Sequence, residues 1–376
     1  MLVGVLTLLY VVHVGSSLFY YSLVSGGGAD SALYYFDSQR LYEDGFGFST
    51  QFVIYITQAL KSFVGGTYLD FFLIYQALGF FGIVLLTRIA GEIYEEAGVQ
   101  QPLYIYILFF LPSLHYWTSA IGKDSLFFLG MMLCLWGSMR FWNRLGALAF
   151  GVFLMLAIRP HIAVVAMSAL AIALFSDRTT RLSVRITMLS AALIGLVFAV
   201  ATVRSTFQID LTNLDSYSDA VAGREALLQM DVNVIGRTSV DAIYPVRVLS
   251  LLFRPFFFDA NDLLGLVVSV ENAGLAIIVL AFLFNWRTLT ALMKSVPYVR
   301  FALVCSVGIL LVLSLGYYNV GLGIRQKATM ILPGLLVVAT ALAAVLDVRR
   351  RRLSQLSTGG AASEAPPSRR VDAVAR

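Results

Sequence analysis

The chain has 376 residues, 59% of them hydrophobic and 13% charged, with a mean hydropathy of +0.81. That balance leaves too little polar surface for a water-soluble globule, and apolar runs of about 20 residues, the length a helix needs to cross a hydrocarbon core of about 30 Å, recur from end to end. The formal charge of +5 resides in short basic clusters between those runs, which excludes the basic, aromatic-laced stripe of a nucleic-acid surface, and the runs lack the strict alternation of a β-barrel.

The predicted architecture is an all-α, polytopic transmembrane bundle of about ten spans, near 2–24, 69–87, 102–118, 124–140, 145–158, 161–176, 184–203, 263–284, 299–315 and 328–346. The first run has no basic leader and no small-residue cleavage site, so it reads as an uncleaved span. Segment 50–64 is short and contains Lys61, which predicts a helix lying at the interface. The spans at 145–158 and 161–176 are separated only by Arg159-Pro160; proline removes a backbone donor and disfavours helix in the residue before it, so a tight hairpin or a broken helix is expected. Cys134 and Cys305 both fall inside apolar runs and read as inert core thiols.

Basic clusters at Arg140 and Arg144, at Arg178, Arg181 and Arg185, at Arg287, Lys294 and Arg300, and at Arg349 to Arg352 fall on one side of a ten-span chain together with both termini. The positive-inside rule makes that side cytoplasmic. The loop read at 88–101 dissents weakly, because it sets Arg88 against Glu92, Glu95 and Glu96. One transmembrane domain, 1–348, is expected, with outer loops 25–68 and 204–262 and a disordered basic tail over 349–376.

Charged residues gather where spans end on the outer side: Lys123 and Asp124, Arg159 and His161 around Pro160, Arg254 before Pro255, Glu271, and Arg325 with Lys327. An ionisable group near hydrocarbon costs roughly 2.5–3.5 kcal/mol on insertion scales, so one polar cavity lined by both signs is the economical explanation. In the first outer loop, helix over 30–44 would put Asp30, Tyr34, Asp37, Leu41 and Asp44 on one face. A carboxylate there could take the proton of an acceptor hydroxyl, and clustered guanidiniums could stabilise a departing phosphate. The plainer alternatives are a solvated acidic surface helix, and arginines that snorkel to headgroups or pair with Asp259, Asp262 and Glu271. His13 reads as an interhelical hydrogen-bonder, and His115, beside Tyr116 and Trp117, as part of an interfacial aromatic belt. No metal site is expected from three histidines without a ligand motif, a carboxylate-bound divalent cation in the first loop stays open, and no phosphate-binding GxxxxGK[ST] loop is present.

The stretch ADSALYY just after the first run, with Asp30 four residues before Tyr34, resembles the first outer loop of GT-C-type membrane glycosyltransferases. LPSLHYWTSAIGKDSLFFL at 111–129 is similar to a passage between spans in membrane proteins of bacterial polysaccharide clusters, including O-antigen and exopolysaccharide polymerase-like proteins. IRPHIA at 158–163, LFRPFFFDANDLL at 252–264, SVEN at 269–272 and NVGLGIRQKATMILP at 319–333 add to the resemblance. It implies transfer of sugar from a polyprenyl-phosphate or -diphosphate donor to a glycan acceptor at the outer face, with Asp30 at the position of the acidic base, Asp37 as its substitute, and Arg159, Arg254 and Arg325 at phosphate-contacting positions. No cofactor is implied, no nucleic acid is a partner, and other polysaccharide-assembly proteins are candidate neighbours. A lipid-linked saccharide flippase, or a non-catalytic subunit of an assembly complex, would use the same charges without covalent chemistry.

Overall fold

The computed structural model describes residues 2–27, 29–36, 45–176, 243–260, 262–315 and 320–357, with isolated helical positions between 182 and 197. Among the described residues there are helices and no strands. Six helices are long and apolar enough to cross a bilayer, or seven if one bent pair is a single span. The chain is a multi-pass helical membrane protein.

Helix α1 (Leu2–Val24) is about 34 Å long at 1.5 Å per residue, enough to span. The short α2 (Asp30–Phe36) and the amphipathic α3 (Thr50–Val64) follow, α3 burying Phe52, Val53, Ile54 and Thr57 on one face. The expected interfacial segment at 50–64 is thus a helix, whereas the acidic helix of 30–44 is seen only as far as Phe36, the rest lying outside the described residues. Helix α4 (Tyr68–Ala97) starts at a capping box in which Thr67 and Asp70 satisfy each other's backbone N–H groups. At 30 residues it is about 45 Å long, so its last three turns project beyond a 30 Å core.

That overhang corrects the loop read at 88–101. Helix continues because Glu92, whose side chain is 0% exposed, accepts both Nη2 contacts of Arg144 at 2.9 Å, Arg88 Nε at 2.9 Å and Trp136 Nε1 at 3.2 Å. Tyr94 and Tyr104 both donate to Asp347, and Arg349 donates to Thr288. These contacts gather Glu92, Arg144, Asp347 and Arg349 at one end of the bundle.

The span read at 102–118 is two short helices, α5 (Tyr104–Ile107) and α6 (Pro112–Thr118). Pro112 is the cause: it starts α6 and holds Leu111 extended (φ −69°, ψ 114°), the conformation a following proline favours. After a sharp turn comes α7 (Lys123–Met139), inclined at 112° to α6. A 3₁₀ turn (Phe141–Arg144) leads into α8 (Leu145–Ile158), and α9 (Pro160–Phe175) begins after a break at Arg159, as the Arg-Pro pair predicts. The expected span at 184–203 lies outside the described residues apart from isolated positions. Beyond it come the amphipathic α10 (Tyr244–Phe253), α11 (Leu263–Phe284), the surface helix α12 (Trp286–Ser295) and α13 (Pro297–Leu315). The last expected span, 328–346, is part of a longer element: α14 (Val320–Gln326), one π-helical turn (Lys327–Ile331) and α15 (Leu332–Ser357). The helix therefore runs through Arg349 to Arg352, past the expected start of the tail at 349, and residues from 358 lie outside the description.

Helices in lipid associate through close packing rather than release of water, which favours small residues at their contacts. Helices α7 and α8 meet at Gly130 and Gly151, where a Cβ on Gly151 would lie 2.6 Å from the Gly130 carbonyl oxygen and 3.0 Å from the Cys134 nitrogen. Gly146 on the same helix has nothing within 4 Å of that position. Gly151→Ala is expected to lower unfolding stability by about 1–3 kcal/mol through overpacking against backbone, and Gly146→Ala to leave it unchanged or raise it by up to about 1 kcal/mol, measured as thermal unfolding in detergent micelles.

Candidate functional site

At the end of the bundle opposite Glu92, four chain discontinuities converge: the turn before α7, the break at Arg159, the π turn and the start of α2. Asp124 lies in the first turn of α7, where the helix dipole favours negative charge. Its side chain is 4% exposed, and both oxygens are occupied. Arg159 Nη2 donates to Oδ1 at 2.9 Å and Arg325 Nε donates to Oδ2. Thr329, on the π turn, adds a longer contact of 3.4 Å to Oδ1. One carboxylate therefore fixes two guanidiniums from helices that lie far apart in sequence.

Arg325 also donates from Nη1 to Asp30 Oδ2 at 3.0 Å, and its guanidinium carbon lies 5.4 Å from the centre of the Trp117 ring. Arg159 is held by Met330 Sδ at 3.2 Å from Nη1 and by the Phe127 ring. The two carboxylates differ in what they can do. Asp124 is buried and saturated, so it orients; Asp30 is 56% exposed and tied by one ion pair, so it can meet a substrate.

Lys123 donates to Ser49 Oγ at 3.1 Å and has no carboxylate partner among the described residues. Ser49 is the one described non-glycine residue with positive φ, 63°, an uncommon conformation, and its N–H donates to the Ala157 carbonyl at 2.7 Å just before the Arg159 break. The strain is thus held at the rim of the cluster, where Ser49 couples Lys123 to the end of α8. Three cations, Lys123, Arg159 and Arg325, face two carboxylates, which leaves the group one positive charge in excess among the described residues.

A second polar group is a separate structure. Lys327 Nζ donates to the carbonyls of Leu252 (3.1 Å) and Arg254 (3.4 Å) and to Asn272 Oδ1, which uses all three of its N–H bonds. Asn272 Nδ2 donates to the Pro255 carbonyl at 2.8 Å, and Arg254 grips Asp259 at 2.8 and 3.2 Å. Glu271 accepts the Ser113 N–H at 2.7 Å at the start of α6. This group pins the elbow at 252–259 to α11 and to the π turn.

The structure thus brings together Asp30, Lys123, Asp124, Arg159 and Arg325, and places Arg254, Glu271 and Lys327 in the adjoining group. His161 is half-buried in the first turn of α9, and Asp37 lies outside the described residues. Sequence reasoning missed Ser49, Trp117, Asn272 and Thr329. Asn272 had a signal, being a polar residue beside Glu271 within an apolar run, whereas nothing in the sequence marks Ser49 as an anchor. His115 is not in an aromatic belt: it is 0% exposed and bonded to His13, which is the interhelical hydrogen-bonder expected. Among the described residues no three His, Cys, Asp or Glu side chains are placed to hold a metal ion.

No protein-family model, curated protein or solved structure matches the chain. The site's chemistry is accordingly read from its geometry.

Removing one member of a buried charge group leaves its partners uncompensated, at a cost of about 3–5 kcal/mol. Asp124→Asn is expected to lose stability on that scale in denaturant unfolding of the micellar protein. Asp30→Asn, at an exposed pair, is expected to lose less than about 1 kcal/mol.

Proposed function

We propose that this chain is a bacterial inner-membrane glycosyltransferase or polysaccharide polymerase of the GT-C type, with about ten spans and both termini cytoplasmic. It transfers a sugar from a polyprenyl-phosphate or -diphosphate carrier to a glycan acceptor at the outer face. The observation that carries this reading is the pairing of two guanidiniums held by buried Asp124 with one accessible carboxylate, Asp30, on the outer edge of Arg325.

Each group has a part. Asp30 takes the proton of the acceptor hydroxyl as that oxygen bonds to the anomeric carbon; the bond from that carbon to the phosphate oxygen breaks, and its electron pair leaves with the phosphate. Arg325 and Arg159 are the donors for the charge that develops there, and planar guanidiniums suit phosphate better than a point charge does. Because Asp124 fixes both before substrate arrives, little reorganisation is left for the moment of reaction. The excess positive charge of the cluster supports an anionic ligand, and Lys123, bonded to Ser49 Oγ, is its cation without a carboxylate partner among the described residues. Trp117 over Arg325 offers an aromatic face beside the same point.

A positioned base contributes about 10²–10⁴-fold. Asp30→Asn is expected to lower polymer formation at least about 100-fold in cells and with purified protein given polyprenyl-linked oligosaccharide, at unchanged levels of inserted protein. Single repeat units should then collect on lipid at the outer leaflet. Units trapped at the inner leaflet would favour the flippase reading, and wild-type polymer from the variant would end the catalytic one.

A further inference from the structure

The chain has three histidines, and two of them meet in the bundle interior, away from the charged cluster. His13 is midway along α1 and His115 is in α6; both are 0% exposed. Their Nδ1 atoms are 3.1 Å apart. His13 Nε2 lies 3.1 Å from the Gln76 carbonyl oxygen of α4, and His115 Nε2 lies 2.9 Å from the Phe109 carbonyl oxygen. The Phe109 carbonyl is available because the chain is unwound before Pro112, and in lipid such a freed group has to find a donor within the protein.

The hydrogen count decides the state of this pair. A carbonyl oxygen only accepts, so each Nε2 has to carry a proton, and the Nδ1 to Nδ1 contact needs a third. Two neutral imidazoles carry two ring protons between them. With two, either the Nδ1 lone pairs face each other at 3.1 Å or one Nε2 lone pair faces a carbonyl. All three contacts are made only by an imidazole and an imidazolium sharing a proton.

We propose that His13 and His115 hold one proton between their Nδ1 atoms, forming a proton-binding site inside the transmembrane bundle. Burial opposes the charge, and three features oppose burial: both carbonyl dipoles point at the cation, the charge is spread over two rings, and aromatic rings flank it. Phe80 from α4 lies 5.9 Å from His13, centre to centre, within reach of a cation–π attraction, and Phe110 lies further off, 6.5 Å from His115. From α1 the next titratable group is Tyr10, stacked edge-on against Phe80; α4 contributes the uncharged Gln76, and α6 contributes Thr118. Among the described residues no carboxylate or basic side chain touches either ring. Gln76 also buries its side-chain Nε2 without a hydrogen-bond partner among the described residues, so this part of the interior is polar on more than one side.

The proton has a mechanical consequence. It joins α1 to the segment that carries Trp117 and leads to Lys123 and Asp124, beside the hydrogen bond from Ser17 Oγ to the Ser119 carbonyl and the packing of Tyr20 on Tyr116 and Trp117. Loss of the proton turns this hydrogen bond into a lone-pair contact. The site is independent of the sugar-transfer reading.

The test is nitrogen-15 solid-state NMR of histidine-labelled protein in lipid nanodiscs, with His161→Gln used to remove the third ring from the spectrum. At about pH 6, three of the four dyad nitrogens are expected to be protonated, with coupling between the two Nδ1 atoms. Raising the pH to about 9 should release one proton per chain in a single step that His13→Gln abolishes. Two protonated nitrogens at every pH in that range would overturn the proposal, as would two rings that titrate independently. The spectrum of the chain with both dyad histidines intact decides the matter even where His13→Gln does not fold.

Discussion

The arrangement at the end of the bundle opposite Glu92 depends on one carboxylate buried between two guanidiniums. Taking ions out of water costs several kcal/mol each, and the attraction repays this only when every lone pair is met. Asp124 has both oxygens engaged, by Arg159, Arg325 and Thr329, at a helix N-terminus that favours its charge. Because the two arginines come from the α8–α9 break and from the helix before the π turn, the same interaction ties three discontinuous elements together. The buried ion group does for this end what Glu92 does for the other.

Discontinuity is the common thread of the polar sites. A helix break frees backbone groups, and in a membrane interior these require partners from within the protein. The break before Pro112 leaves the Phe109 carbonyl to His115, and the elbow at 252–259 leaves the Leu252 and Arg254 carbonyls to Lys327. The π turn points Arg325 and Lys327 to different groups, although they are two residues apart. Extra turns of this kind in helices are often found at functional sites.

Hydropathy made much of the bundle legible. The expected spans at 2–24 and 263–284 coincide with α1 and α11, and the Arg159-Pro160 break fell where the proline rule put it. Hydropathy reports composition, however, and not continuity of the backbone. The apolar run around Leu108 to Leu111 reads as helix and is unwound, while the charged turns from Arg88 to Glu96 read as loop and are helix, because their charges neutralise one another and Arg144. Of the five clustered residues, Lys123, Asp124, Arg159 and Arg325 could be listed from charge at span ends and Asp30 from the first loop. That Asp124 sits among Arg159, Arg325 and Asp30 could not, because those partners are 35 to 201 positions away and nothing local encodes the pairing.

The backbone contact between Gly130 and Gly151 limits how this molecule can move. With each glycine carbonyl under 3 Å from where the other's side chain would begin, α7 and α8 pack backbone to backbone, and close packing of this kind resists internal sliding. Any rearrangement around Asp124 is then taken up at the joints flanking the hairpin, at Gly122 and at Arg159. Both joints carry or adjoin the charged residues, so a swing of the hairpin displaces Lys123, Asp124 and Arg159 together.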